Sequence, residues 1–359
     1  MTNRILVAGA LGAVGRAALE HFETLDRWDV IALSRRAPDF KNRAEWLSVD
    51  LTDAADSADK IGKLRGVTHL VYAAVYEMED VARGWLTREH ADVNLKMLQN
   101  LFRPLADACS SLRHVTLLQG TKAYGGHLGP FKMPAKESDP RYMPPNFYYD
   151  QMDWLAEERA RTDGRWTWTV LRPQVVCGVA VGSPMNVIAG VGAYAAVCRE
   201  LGLPLRFPGG DARIGEMTDA RLLARAMSWA ATDPRAADEV FNIANGDVYQ
   251  WEHLWPRLAD CFGMEVGPRH PMSLARIMPG NADVWPRIVE KHGLEPYTLQ
   301  QLVPNWGFVD FILGYGQRPN PHHMSTIKAR RRGFNECVDT EDMLVELIRE
   351  MQERGYLPG

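Results

Sequence analysis

The opening of the chain restricts its fold more than any other segment. Ile5-Leu6-Val7-Ala8 is a short apolar run that leads straight into Gly9-Ala10-Leu11-Gly12-Ala13-Val14-Gly15. Arg16-Ala17-Ala18-Leu19-Glu20-His21-Phe22 follows, with its apolar residues at helical spacing. Glycines at these intervals mean little alone. Between a buried strand and a helix they form a turn where backbone N–H groups can approach a pyrophosphate, whose charge the helix N-terminus favours. Gly9, Leu11, Gly12, Ala13, Val14 and Gly15 are therefore the expected phosphate loop.

The next strands extend the same pattern. Trp28-Asp29-Val30-Ile31-Ala32-Leu33 ends at Ser34-Arg35-Arg36. An acidic residue at this place would bind ribose hydroxyls. A hydroxyl and two guanidinium groups suit a 2′-phosphate instead, through charge-assisted hydrogen bonds, so NADP(H) is the expected cofactor. Ala44-Glu45-Trp46-Leu47-Ser48-Val49 leads into Asp50-Leu51, where short-chain dehydrogenases place an aspartate and an apolar residue around the adenine. Thr68-His69-Leu70-Val71-Tyr72 ends in Ala73 and Ala74, small enough to pass beneath a cofactor. His114-Val115-Thr116-Leu117-Leu118 ends in Gln119-Gly120-Thr121-Lys122. This alternation predicts an α/β fold, a Rossmann-type doubly wound parallel sheet with right-handed crossovers.

At 359 residues, 46% hydrophobic and 24% charged, the chain has room for a smaller, mostly helical C-terminal substrate lobe as well. Residues 1–180 are expected to form the nucleotide-binding domain, with about 216–249 returning to it through the strand-like Ala237-Asp238-Glu239-Val240-Phe241-Asn242-Ile243. Residues 181–215 and 250–359 would make the lobe. No apolar run approaches the roughly eighteen residues of a membrane helix, and no signal peptide is visible. The five cysteines are scattered and odd in number, as in a reduced, cytoplasmic protein without a cysteine metal site. A net charge of −4 gives no reason to expect nucleic acid.

The catalytic pattern of most short-chain dehydrogenases is absent. No tyrosine has a lysine four residues on: Tyr148 is followed by Met152 and Tyr149 by Asp153. Counting back from Ala123-Tyr124-Gly125 puts Gly120 where the usual serine would lie. Either the chain has lost catalysis and binds or senses a nucleotide, or the lysine comes from elsewhere. Lys122, in the loop after the fifth strand, is the candidate.

With that departure, the chain resembles the progesterone 5β-reductase/iridoid synthase-like reductases, atypical extended short-chain dehydrogenases that reduce activated carbon–carbon double bonds with NADPH. The segments that carry the likeness run in order along almost the whole chain. They include Ser34-Arg35-Arg36, Gly120-Thr121-Lys122-Ala123-Tyr124, Asn146-Phe147-Tyr148-Tyr149-Asp150, Leu171-Arg172-Pro173, Ser183-Pro184-Met185-Asn186 and Trp306-Gly307-Phe308. The resemblance implies Tyr148 as catalytic tyrosine and Lys122 as catalytic lysine. It also implies a cofactor set of the phosphate loop, Ser34, Arg35, Arg36, Asp50, Leu51, Ala73, Ala74, Tyr148, Val176 and Ser183. The implied substrate is a small-molecule enone, with no nucleic acid or membrane partner and a homodimer as the assembly to test. Leu11, Val75, Ala123 and Met152 depart from the family pattern, and Val75 suggests a different substrate from the plant enones.

Other clusters have plainer readings. His322-His323, after Pro319-Asn320-Pro321, is expected to be a solvated loop rather than a metal site. Lys328-Ala329-Arg330-Arg331-Arg332 is expected to be a solvated helix face, and Trp251, Trp255, Trp285 and Trp306 to be packing. Two other functions remain open: a nucleotide-sugar epimerase or dehydratase, which would normally need the missing residues, and a non-catalytic NADP sensor.

Overall fold

A computed structural model of the chain describes residues 2–78, 80–211, 214–316 and 322–359, so the Pro319-Asn320-Pro321 run lies outside it. The chain divides into two compact units. The first comprises Met1–Gln174, Arg221–Ile243 and Met324–Asn335. The second comprises Val175–Ala220, Ala244–His323 and Glu336–Gly359.

In the first unit, β1 (Asn3–Ala8), α1 (Ala13–Thr24), β2 (Trp28–Ser34) and β3 (Glu45–Ser48) open the fold. They are followed by α2 (Ala54–Ile61), β4 (His69–Tyr72), α3 (Val81–Gly84) and α4 (Arg88–Ala108). Next come β5 (His114–Leu118), α5 (Phe147–Arg161) and β6 (Thr167–Pro173). Chain order then passes through β7 (Val176–Cys177), α6 (Val187–Glu200), β8 (Leu205–Arg206) and β9 (Thr218–Asp219) of the second unit. It returns with α7 (Ala220–Thr232) and β10 (Glu239–Ile243). The sheet is seven-stranded and wholly parallel, in the order β10-β6-β5-β4-β1-β2-β3.

The central strands β1, β2, β4 and β5 are mostly apolar because helices cover both faces of a parallel sheet, whereas β3 at one edge carries the exposed Glu45 and Trp46. Leu6, Ile31, Leu70, Val115 and Val170 form one continuous core with Leu98, Leu101 and Phe102 of α4. Side-chain caps fix where helices begin. Asp53 accepts hydrogen bonds from Ala55 and Asp56 N–H at the start of α2, and Thr87 from His90 N–H at the start of α4. Caps of this kind contribute about 1 kcal/mol each.

The second unit continues with α8 (Trp251–Asp260), β11 (Val266–Gly267), α9 (Leu274–Ile277), α10 (Trp285–His292), α11 (Leu299–Leu302) and α12 (Trp306–Leu313). Helix α6 is buried on every side from Val187 to Cys198, as a helix apolar all round must be. Its glycines set the spacing: a Cβ on Gly190 would stand 2.4 Å from Val309 of α12, and one on Gly192 2.2 Å from Leu357. Trp251, Trp255, Trp285 and Trp306 belong to this core.

Residues 250–359 do not all stay in the second unit. α13 (Ile327–Arg331) packs with the first, whereas α14 (Thr340–Glu353) is part of the second. Long-range ties draw the 324–335 segment back: Met324 bridges to Ala135, and Ser325 carbonyl accepts from Asn242. Lys328 and Arg332 both pair with Glu239 of β10, at 2.7 and 2.9 Å. The basic run at 328–332 is thus partly engaged rather than a wholly solvated face. His323 Nδ1 lies 2.8 Å from the Glu216 carboxylate within the second unit.

Candidate active site

At the carboxyl end of β1 the phosphate loop is held open by contacts that tolerate no side chain. Gly9 has a φ of +81°, and a Cβ there would stand 2.8 Å from the backbone of Ala73 and Ala74, beyond β4. On Gly15 a Cβ would meet the Gly9 carbonyl at 2.1 Å, so α1 can approach β1 only with glycine here. Gly12 caps α1 without a side-chain hydrogen bond, and it is exposed, with Leu11, Ala13 and Val14 half-buried around it. The free N–H groups of the helix start therefore face an open cradle suited to a dinucleotide pyrophosphate.

At the end of β2, Ser34 hydroxyl donates to Arg36 carbonyl at 2.6 Å and accepts from Trp46 Nε1 at 3.2 Å. Arg35 and Arg36 are exposed, and neither guanidinium hydrogen-bonds or ion-pairs with another described residue. A buried cation in α1, Arg16, carries no sequence motif; its Nε donates to Glu20 Oε1 at 3.2 Å. Arg16 is 2% exposed, its guanidinium sits 4.0 Å from the Phe40 ring centre, and its Nη2 has no hydrogen-bond partner among the described residues. A buried arginine after the third loop glycine is the signal that could have found it.

Asp50 carboxylate accepts from Thr52 N–H at 3.0 Å and Thr52 hydroxyl at 2.7 Å. Those bonds hold its pKa below the usual value, with Arg35 assisting. Leu51 is buried, and its carbonyl accepts from Asn100.

Lys122 stands in a single 3₁₀ turn (Thr121–Tyr124) after β5, and Tyr148 at the start of α5. Asn146 joins them: its Oδ1 accepts from Tyr148 N–H at 3.1 Å, capping α5, while its Nδ2 donates to Lys122 carbonyl at 2.8 Å. Gln119 Nε2 donates to Tyr148 carbonyl at 2.7 Å and accepts through Oε1 from Arg172 of β6 at 2.9 Å. Arg172 also donates to Tyr124 hydroxyl, which donates in turn to Asn242 of β10. These bonds leave the start of α5 little freedom to shift.

The two adjacent tyrosines differ sharply. Tyr149 hydroxyl donates to Ala123 carbonyl at 2.8 Å and accepts from Tyr142 N–H at 3.1 Å. Tyr148 hydroxyl has no hydrogen bond to a described residue, and a Cβ on Gly120 would lie 3.5 Å from it. Glycine at the usual serine position thus leaves space beside the phenol. Burial and the Glu77 carboxylate push the Tyr148 pKa well above its ordinary value, against an opposing pull from Arg172. Lys122 is expected from sequence to acidify this phenol, but it is not among the groups that shift it. The phenol stays protonated.

Lys122 and Tyr148 share a neighbour that carries no motif, Trp85, between α3 and α4. Lys122 Nζ lies 3.6 Å from the Trp85 ring centre, and the Tyr148 ring meets the indole edge-on at 5.1 Å. Burial lowers the Lys122 pKa to about 8, with Glu77 holding it up. The lysine thus loses its charge as pH rises through about 8.

Val176 and Ser183 lie in the second unit. Val176 pairs with Thr218 in the short β7–β9 ladder, and Ser183 is half-buried in the turn before α6.

A PRISE-like Rossmann-fold domain matches residues 49–342. The chain is 34% identical to (S)-8-oxocitronellyl enol synthase of Nepeta cataria, over 98% of this chain and 92% of that one. It is 35% identical to the 3-oxo-Δ4,5-steroid 5β-reductase of Arabidopsis thaliana, over 86% of this chain and 82% of that one. Among solved structures, UDP-glucose 4-epimerase of Thermotoga maritima has a TM-score of 0.68 at 15% identity, covering 98% of this chain and 99% of that one. A short-chain dehydrogenase/reductase superfamily protein of Agrobacterium tumefaciens, with bound NAD, scores 0.63 at 17% identity and covers 98% of both chains. The last two establish the fold alone. On the family match and the near full-length identities, the chain belongs to the PRISE-like Rossmann-fold family.

Proposed function

We propose that the protein is an NADPH-dependent oxidoreductase that reduces the activated carbon–carbon double bond of small α,β-unsaturated carbonyl compounds. The observation that carries this reading is the Tyr148 phenol, kept protonated, without a hydrogen bond to any described residue and beside the space at Gly120. Two relatives support it by name, one an enol synthase and the other a steroid 5β-reductase.

The glycine loop and the start of α1 would hold the pyrophosphate, and Arg35 and Arg36 the 2′-phosphate. Arg16 supports the same preference, as a buried guanidinium with an unused N–H near that end of the sheet. The chemistry that NADPH supplies when bound is hydride donation, here to the β-carbon of the enone. Negative charge then gathers on the carbonyl oxygen as an enolate. Tyr148 donates a hydrogen bond to that oxygen where the charge develops, the work of an oxyanion-hole donor. Arg172 adds positive potential at the phenol, and Lys122, which shares the Trp85 ring with Tyr148, would add its own at the substrate oxygen. Because the phenol holds its proton firmly, the enolate α-carbon can be protonated by water and no second acid is needed. An epimerase or dehydratase is disfavoured, since Gly120 offers no hydroxyl and no lysine follows Tyr148 by one helical turn.

The test uses 2-cyclohexen-1-one with NADPH deuterated at nicotinamide C4. The expected product is cyclohexanone carrying deuterium at the β-carbon. An allylic alcohol as product, or NADPH binding without turnover across a broad enone panel, would overturn the proposal.

A further inference from the structure

The stretch between β4 and α4 contains a buried group of polar and aromatic side chains that no motif announces. Trp85 is 3% exposed. Its Nε1–H points at the Glu77 carboxylate, 3.1 and 3.3 Å from the two oxygens. His90, in the first turn of α4, is also buried and places Nε2 3.3 Å from the same carboxylate. The faces of the indole are packed too: Phe147 lies 4.6 Å away, His90 5.2 Å and His127 6.0 Å between ring centres. An indole so fixed is a rigid plate, and Lys122 Nζ rests on it at 3.6 Å. No ion pair or hydrogen bond joins Nζ to another described residue, so the plate is the main contact locating this charge.

We propose that Trp85 is a positioning residue for the reaction: hydrogen-bonded to Glu77 and packed against His90, its indole face holds the Lys122 ammonium in place beside Tyr148. The inference rests on the enone-reductase reading and adds to it the device that locates the lysine. A cation over an indole face is attracted by the ring quadrupole, most strongly where water is excluded. The arrangement satisfies two requirements that conflict at a buried lysine. A carboxylate in direct contact would fix the ammonium but cancel its field at the substrate oxygen. An aromatic face fixes it and leaves the net charge intact, while Glu77 acts from the Nε1 edge of the indole. The titratable groups facing Lys122 are Glu77 from the β4–α4 stretch, His127 from the loop after the 3₁₀ turn, and Tyr148 from α5. His90 of α4 lies 3.3 Å from the Glu77 carboxylate. Of these, Glu77 supports the protonated lysine, and His127 is itself driven down to about 4 by burial and by Lys122.

The experiment compares Trp85→Leu, Trp85→Phe, Lys122→Met and the double variant Trp85→Leu/Lys122→Met in NADPH-dependent 2-cyclohexen-1-one reduction across pH, with NADPH affinity measured separately. Trp85→Leu is expected to lower kcat about tenfold or more without weakening NADPH binding. It should also move the alkaline fall of activity to lower pH. Trp85→Phe, which keeps a ring face, is expected to recover most of the rate. The double variant should be no slower than Lys122→Met alone, because residues acting through one group are not additive. Glu77→Gln provides a second route should Trp85→Leu fail to fold: the alkaline limb should again move to lower pH. A slow Lys122→Met beside a Trp85→Leu enzyme with wild-type kcat and pH profile would overturn this inference alone, as would losses that multiply in the double variant. A Lys122→Met enzyme as active as wild type would overturn the underlying reading and this one with it.

Discussion

Arg35 and Arg36 stand exposed at the end of β2, and no described residue competes for either guanidinium. They can serve a 2′-phosphate at little cost to the fold. Replacing both by alanine should weaken NADPH binding while leaving NADH binding nearly unchanged. Charge-assisted bonds contribute roughly 1.5–3 kcal/mol each, so a loss of about tenfold or more per arginine is expected in titrations of the two cofactors. Equal affinities for NADPH and NADH in the unaltered protein would refute the assignment. Tyr149 makes the opposite case at the same scale. Its hydroxyl is spent on Ala123 carbonyl and Tyr142 N–H, so Tyr149→Phe leaves a buried carbonyl without its donor. The expected result is a stability loss of about 1–3 kcal/mol in chemical denaturation, with enone turnover largely kept. A stable but inactive Tyr149→Phe protein would mean that the wrong member of the pair has been assigned to the chemistry.

At the scale of elements, the site is the junction of a 3₁₀ turn and a helix N-terminus. Asn146 caps α5 and binds the turn through Lys122 carbonyl, so one side chain fixes both backbones. The Asn-Phe-Tyr-Tyr run and the lysine upstream were legible in sequence because each is local. What the sequence could not convey is the plate between them. Trp85 and Glu77 come from an aperiodic stretch after β4, and only the crossover into α4 brings them to Lys122. The electrostatic consequence follows from that burial. Lys122 is charged below a pKa of about 8 and neutral above it, since burial disfavours the ammonium. Activity that depends on its charge should therefore fall as pH rises through about 8. In Lys122→Met the rate should be lower and this limb should vanish. A wild-type rate flat through that region, or a limb that persists in Lys122→Met, would exclude the lysine as its source.

At the scale of the whole molecule, the glycine loop sufficed to anticipate a doubly wound parallel sheet, because a strand, a glycine turn and a helix in succession have few other solutions. The return of β10 (Glu239–Ile243) as the edge strand was legible in a similar way: Val240, Phe241 and Ile243 within a strand-length segment need a sheet to pack against. The return of Met324–Asn335 to the first unit was not. Its ties to Ala135, Asn242 and Glu239 join residues far apart in sequence, and a basic helix gives no local sign of its partners. The glycines of α6 are similar, since their need for space is set by Val309 and Leu357. The central claim nevertheless rests on one oxygen atom, the Tyr148 hydroxyl, presented without a hydrogen-bond partner among the described residues. Its most direct test is kcat for NADPH-dependent reduction of 2-cyclohexen-1-one by Tyr148→Phe, beside the dissociation constant for NADPH in the same protein. The account predicts a fall of about 100-fold or more in kcat, as for other oxyanion-hole donors, with cofactor affinity nearly unchanged. Turnover at the wild-type rate by a folded, NADPH-binding Tyr148→Phe protein would contradict it.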